Sequence, residues 1–218
     1  MSIEPTPIDL KLAEYIRAHA SGRDEALRLV EDETEAMGDI RIMQTAPEQA
    51  AFLEMLVRLG RGRRAIEVGT FTGYGAIRIA RGLEDEGRLL CCELDPERAE
   101  IARRNLDRAG VGEKVEIRVG PAIETIRSLP DQPTFDFAYV DADKTGYPDY
   151  YEALLPRMSP GGLITFDNVF MGGRILDADP DEGTAAMQTL NDRLVDDDRI
   201  DSVMLGMADG LTLARVRG

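Results

Sequence analysis

Two apolar runs in this chain stop on oxygen-bearing side chains. Phe135–Val140 is followed by Asp141-Ala142-Asp143-Lys144, and Gly162–Phe166 by Asp167-Asn168. If the runs are neighbouring parallel strands, about 4.8 Å apart, then Asp141, Asp167 and Asn168 could converge on one point. Three hard oxygen ligands with coordination positions left open suit Mg²⁺, with Mn²⁺ and Ca²⁺ as alternatives. No cysteine or histidine lies nearby, which disfavours zinc. Acids at strand ends also serve as ordinary polar termini and helix caps, so the residues alone leave both readings open. A cation there would hold two vicinal oxygens of a substrate and lower the pKa of one of them. Lys144, three residues after Asp141, is then the candidate to take that hydroxyl proton or hold the oxyanion, its own pKa lowered by like-charge repulsion. The competing reading is a surface lysine. Only Lys11, Lys114 and Lys144 are lysines among the 26 basic residues.

A second constellation lies upstream. Arg64–Val68 runs into Gly69-Thr70-Phe71-Thr72-Gly73-Tyr74-Gly75. Gly69 and Gly73 let a backbone turn sharply and approach a ligand. The spacing is G-x-x-x-G-x-G, not the G-x-G-x-x-G of dinucleotide folds. Glu67, in the strand before this turn, is expected to point into the crevice. It would be awkward beside a pyrophosphate but suits a cationic ligand such as S-adenosylmethionine (SAM), which carries a sulfonium and an ammonium. Glu93 ends the next apolar run, about 20 residues on, where a carboxylate accepts hydrogen bonds from both hydroxyls of a ribose.

These residues need a scaffold that brings strand ends together. From residue 64 onward, strand and helix alternate: strands at Arg64–Val68, Arg88–Leu94, Val115–Val119, Phe135–Val140 and Gly162–Phe166, and helices at Tyr74–Leu83, from Asp95-Pro96 to Gly110, Ala122–Leu129 and Asp149–Met158. Asp95 is an N-cap with proline at the first helical position. After a Gly/Asp-rich loop at Met171–Gly183 comes a helix near Thr184–Leu194. Ile200–Leu205 and Leu211–Val216 flank Ala208-Asp209-Gly210, a hairpin signal. The pattern predicts an α/β, doubly wound, Rossmann-like sheet covered on both faces, with one antiparallel strand from the hairpin. Residues 1–60 read as a helical cap: Ile8–Ala20, Asp24–Met37, and a third helix opened by a capping box at Thr45-Ala46-Pro47-Glu48, with Phe52, Leu53, Leu56 and Leu59 at helical spacing. The 218 residues suit one domain, cap 1–60 and core 61–218.

Bulk properties narrow the partners. Forty-one acidic residues give a net charge of −15, which repels phosphate backbones and argues against nucleic acid. No apolar run approaches the roughly 20 residues of a membrane span, and the start MSIEPTPIDLKLAEY has no signal-peptide pattern, so a cytoplasmic enzyme with no membrane contact is expected. Cys91 and Cys92 read as buried strand residues, and the single histidine, His19, as an ordinary helical one.

The segments EVGTFTGYG, CCELDPERAEIARRNL, VGPAIETI, FDFAYVDADKTGYPDYYE and GGLITFDNVFMGG, in this order, resemble the cation-dependent O-methyltransferases of the caffeoyl-CoA and bacterial catechol type, from Ile42 to the C-terminal hairpin. The resemblance implies a class I methyltransferase sheet of seven strands, order 3-2-1-4-5-7-6 with strand 7 antiparallel, a homodimer, SAM, a divalent cation and a small-molecule hydroxyl acceptor such as a catechol. By matching motifs it implies that Glu67 and Gly69 contact the methionine part of SAM and Glu93 the ribose. Gly73, Tyr74 and Gly75 complete the turn, and Gly120-Pro121-Ala122 lines the adenine. Met43 and Thr45 belong to a segment closing over the cofactor. Asp141, Asp167 and Asn168 match metal ligands, Asp141 also bordering the cofactor, and Lys144 matches the catalytic lysine. The chain departs from the family at Gly75, where serine is usual and its hydroxyl helps hold the SAM carboxylate, and in having no tryptophan. Tyr147 and Phe170 are candidate pocket walls, as are Met171 and the Gly172-Gly173 loop. The acids Asp177, Asp179, Asp181 and Glu182 argue against a highly anionic acceptor. Three rivals stand beside this reading: a metal-independent methyltransferase, a nicotinamide dehydrogenase, and a SAM-binding module without catalysis.

Overall fold

The computed structural model describes residues 6–218; the first five residues of the leader reading lie outside it. Seven strands form one sheet in the order β3-β2-β1-β4-β5-β7-β6. They are β1 (Arg64–Val68), β2 (Arg88–Glu93), β3 (Val115–Val119), β4 (Phe135–Val140), β5 (Met158–Asp167), β6 (Ile200–Leu205) and β7 (Leu211–Val216). The first five are parallel, and β7 runs antiparallel between β5 and β6. This is the doubly wound sheet that the alternating pattern predicts, in the strand order that the family resemblance implies. Strand order reverses between β1 and β4, where such sheets place their ligands.

Helices cover both faces because side chains alternate along each strand. Ile66, Val68, Ala138 and Val140 face α6 (Ala122–Ser128), α7 (Tyr147–Leu154) and α8 (Glu182–Asp196). Ala65, Cys91, Phe137 and Tyr139 face α3 (Pro47–Leu59), α4 (Tyr74–Gly82) and α5 (Pro96–Arg108). Cys91 and Cys92 are buried, as expected. On α5, Ala99, Ala102 and Leu106 are buried, and Asp95 caps the helix by accepting from the backbone N–H of Glu97 at 2.8 Å.

The cap contains α1 (Leu10–Ala18) and α2 (Glu25–Glu35) together with α3. Polar bonds fasten it to the core. Arg78 on α4 is almost fully buried; it pairs with Glu54 at 2.9 Å and donates to the Ser21 carbonyl at 3.0 Å. Thr34 donates to Thr72 at 3.0 Å, and the Tyr74 hydroxyl to Glu31 at 2.7 Å. Two local expectations fail here. α3 starts at Pro47 with Ala46 as N-cap and no side-chain cap, because the Thr45 hydroxyl is engaged elsewhere. Leu59 is 76% exposed, since the buried stripe runs through Ala50, Leu53 and Val57 instead. Among the described residues no helix is long and apolar enough to cross a membrane.

Candidate active site

A cavity of about 1380 Å³ opens at the carboxyl ends of β1, β2 and β4 and runs beneath the segment from Arg41 to Gln49. The expected site residues Met43, Thr45, Gly69, Tyr74, Gly75, Glu93, Ala122, Asp141, Lys144, Asp167 and Asn168 all line it, as does Asp143. Glu67 and Gly73 do not. Gly73 is the left-handed residue (φ +88°) before α4, and its Cα hydrogens face Ala102 of α5, where an added Cβ would come within 3.3 Å.

Glu67 lies under the floor for a reason set by strand alternation. It shares a face with Ala65, so it points beneath the first turn of α4 rather than into the crevice. It stands in a row across the sheet, paired in register with Cys91 on β2 and Tyr139 on β4. Its carboxylate is fully buried and accepts from the Cys91 thiol at 3.4 Å. Burial, reinforced by the charges of Asp141 and Glu93, pushes its pKa up to about 8. A Cβ built on Gly75 would lie only 2.7 Å from Glu67 Oε1. The missing side chain at position 75 is therefore the space that the carboxylate occupies.

Glu93 is held by the turn itself. One oxygen accepts from the backbone N–H groups of Thr70 and Phe71 at 3.2 and 2.7 Å, and the other from Asp95 at 3.0 Å. The first oxygen is thereby filled, and the second, which accepts one bond, keeps a lone pair for a ligand hydroxyl. Gly69 is the closest joint in the site. It has φ +90°, and a Cβ there would stand 2.0 Å from the Asp141 carbonyl oxygen. Only glycine lets the turn after β1 touch the end of β4.

The second half of the site gathers around one phenol. The Tyr139 hydroxyl donates to Asp167 Oδ2 at 2.6 Å and lies 3.3 Å from Asp141 Oδ2. Asp167 is 4% exposed, and its other oxygen accepts from the backbone N–H of Asn168 at 2.6 Å. Burial, then the neighbouring charge of Asp141, lifts its pKa well above the usual carboxylate range. Asn168 adopts φ +56°, a left-handed conformation that asparagine tolerates. Lys144 Nζ donates to Asp141 Oδ1 at 3.0 Å and to the Tyr147 hydroxyl at 2.7 Å.

Two crowded carboxylates, with Asn168 on the same cavity wall, offer hard-oxygen donors of the kind a divalent cation takes. Among the described residues no three of histidine, cysteine, aspartate and glutamate gather as a metal group, so the third protein ligand here would be Asn168. Thr70 Oγ1, Gln49 Oε1 and Gln44 Oε1, on residues of the cavity wall, are buried polar atoms with no partner.

The expected pocket walls are not where the sequence puts them. Tyr147 is fully buried, its hydroxyl donating to the Val140 carbonyl at 3.1 Å. Phe170 is packed against Gly210 in the turn between β6 and β7, and neither it nor Met171 lines the cavity. The chain turns back after Asn168, which carries Phe170 and Met171 toward the core. Residues missed at the sequence level include Gln49 and Tyr139. Gln49 carries no sequence signal and Tyr139 sits inside an apolar run, and only the register of β4 against β5 reveals that the Tyr139 hydroxyl reaches the strand ends.

Comparison with known proteins agrees with this geometry. The O-methyltransferase family model matches residues 17–217. A probable caffeoyl-CoA O-methyltransferase of Dictyostelium discoideum is 37% identical over 177 residues, 79% of this chain and 77% of its own length. A catechol O-methyltransferase of Niastella koreensis is 34% identical over 211 residues, 93% and 95% of the two chains. The solved O-methyltransferase TomG of Streptomyces achromogenes, in complex with SAM, superposes with a TM-score of 0.85 at 33% identity, covering 95% of this chain and 96% of its own. By sequence, sheet order and site, the chain belongs to the O-methyltransferase family and is a SAM-dependent O-methyltransferase.

Proposed function

We propose that the protein transfers the methyl group of SAM to one of two vicinal hydroxyls on a small molecule, a catechol or similar diol, with a divalent cation at Asp141, Asp167 and Asn168. The observation that carries this reading is the convergence of Asp141, Asp167 and Lys144 on the cavity that the Gly69–Gly75 turn also lines. Similarity to a catechol O-methyltransferase supports the acceptor class. The net charge of −15 supports a small molecule over a nucleic acid. The family resemblance supports a homodimer.

A divalent cation, when bound, supplies charge that draws two neighbouring oxygens together and favours loss of a proton from one of them. The protein's own residues do the rest. Lys144 Nζ, anchored by Asp141 and Tyr147, takes the acceptor's proton or holds the oxyanion. The Gly69–Gly75 turn and Glu93 hold SAM so that its methyl faces the acceptor. The acceptor oxygen forms a bond to that methyl carbon as the carbon–sulfur bond breaks, leaving S-adenosylhomocysteine. The segment from Arg41 to Gln49 keeps water out and fixes the approach.

The test is S-adenosylhomocysteine release from SAM and a panel of catechols with Mg²⁺, then with excess EDTA. Turnover lost with EDTA and regained with Mg²⁺ is expected. Turnover indifferent to EDTA would move the protein to the metal-independent reading. Binding of SAM without turnover on any hydroxyl acceptor would favour a module without catalysis.

A further inference from the structure

The Tyr139 hydroxyl touches both the closing segment and the paired carboxylates. It is fully buried and lies within hydrogen-bond distance of four side chains. It donates to Asp167 Oδ2 at 2.6 Å, with Asp141 Oδ2 at 3.3 Å as a weaker second acceptor. Its oxygen accepts from Gln49 Nε2 at 3.1 Å, and the Thr45 hydroxyl lies 3.2 Å away. A phenol has one proton and two acceptor positions. Gln49 can only donate through Nε2 and Thr45 is free to donate, so together they fill both acceptor positions. The single proton is then left with one direction, toward the carboxylates.

That arrangement fixes Asp167 from both sides. The Asn168 backbone N–H holds Oδ1 and the phenol holds Oδ2. A carboxylate restrained at each oxygen cannot swing about its last bond, so its remaining lone pairs keep a constant direction. Outer partners of this kind orient metal ligands, and losing one costs about 10- to 100-fold in metal affinity. The same phenol is tied to α3 and the segment before it, so the direction of Asp167 depends on that segment being in place.

Building on the cation-assisted reading above, we propose that Tyr139 is a positioning residue. Its hydroxyl, aimed by Gln49 and Thr45, sets the orientation of Asp167 for a divalent cation and links that orientation to the segment closing over SAM. Tyr139 itself need not touch the cation, SAM or the acceptor. The ring fills the α3–α4 side of the sheet and would remain in a Tyr139→Phe variant, which removes the oxygen alone.

The experiment is calorimetric titration of Mg²⁺ into the SAM-loaded protein without acceptor, for the wild type, Tyr139→Phe and Gln49→Met, with a thermal melt of each. Tyr139→Phe is expected to bind Mg²⁺ about tenfold more weakly, while its affinity for SAM alone changes less than threefold. Gln49→Met, which keeps the side-chain length but not the amide, is expected to shift Mg²⁺ affinity in the same direction by a smaller factor. It also serves as the test if Tyr139→Phe does not fold. Wild-type binding with Mg²⁺ affinity unchanged in the folded variants would overturn this proposal and leave the cation reading standing. A wild type that binds no Mg²⁺ would overturn the cation reading and this proposal with it.

Discussion

Gly75 is the position at which family resemblance and geometry give opposite expectations. Resemblance says that serine would restore a hydroxyl contact to the SAM carboxylate, so Gly75→Ser should tighten SAM binding. Geometry says that any Cβ at 75 meets Glu67 Oε1 at 2.7 Å, Thr45 Oγ1 at 3.2 Å and a Tyr139 ring carbon at 3.5 Å. A carbon–oxygen contact of 2.7 Å is about half an ångström inside ordinary van der Waals distance, so the Glu67 carboxylate must retreat. It is fully buried, with Cys91 and Tyr139 as its neighbours in register. Overpacking of such a site costs about 1–3 kcal/mol. Alanine or serine in a helix recovers less than about 1 kcal/mol over glycine. The net loss is about 1 kcal/mol, or roughly 2–4 °C in melting temperature for a chain of this size. Glu67 does not line the cavity, so this crowding offers no gain in SAM affinity to set against the lost stability. The assay is calorimetric SAM binding and a thermal melt for the wild type, Gly75→Ala and Gly75→Ser. Alanine isolates the Cβ, and the serine–alanine difference isolates the hydroxyl. Tighter SAM binding by Gly75→Ser at an unchanged melting temperature would refute the crowding argument.

Other expectations follow from the same contacts. The Glu67 pKa is raised from 4.5 to about 8, so its stabilising contribution is complete below pH 4.5 and is lost as pH rises toward 8; Glu67→Gln should flatten that part of the curve of melting temperature against pH. Lys144→Met should lower kcat by about 100-fold or more while SAM affinity stays within threefold; a comparable loss of SAM binding would show that Lys144 only shapes the site. Arg78→Met leaves Glu54 with Arg58 as its one remaining partner and frees the Ser21 carbonyl, costing about 2 kcal/mol. Its melting temperature should fall by roughly 4–8 °C, with cap and core still unfolding in one transition by calorimetry.

The core was legible because its strands are short, apolar and bounded by turns: the ranges of β1, β3, β4, β6 and β7 coincide with those read from the residues, and the strand order with that of the resembling family. The candidate oxygen ligands were legible because they end those strands. What escaped depends on which way a side chain leaves the backbone. Glu67 goes under α4 because it shares a sheet face with Ala65. Tyr147 and Phe170 follow site residues closely in sequence, yet their local turns send them into the core. The Thr45 signal matched a capping box letter for letter, but a tertiary partner, the Tyr139 hydroxyl, took its oxygen. Pairing partners across the sheet decide such cases, and they are absent from a local reading.

The contact between Gly69 and the Asp141 carbonyl has a consequence for how this enzyme can change. The turn proposed to hold the methyl donor and the strand end proposed to face the acceptor share a joint with no room for one extra carbon. Any mutation that re-angles one re-angles the other. New acceptor preferences are therefore expected to arise at a distance from this joint, in the loops at 38–47 and 169–185, while the spacing of donor to acceptor is inherited unchanged. An engineer wishing to alter what is methylated should leave the β1–β4 seam alone and vary those two loops.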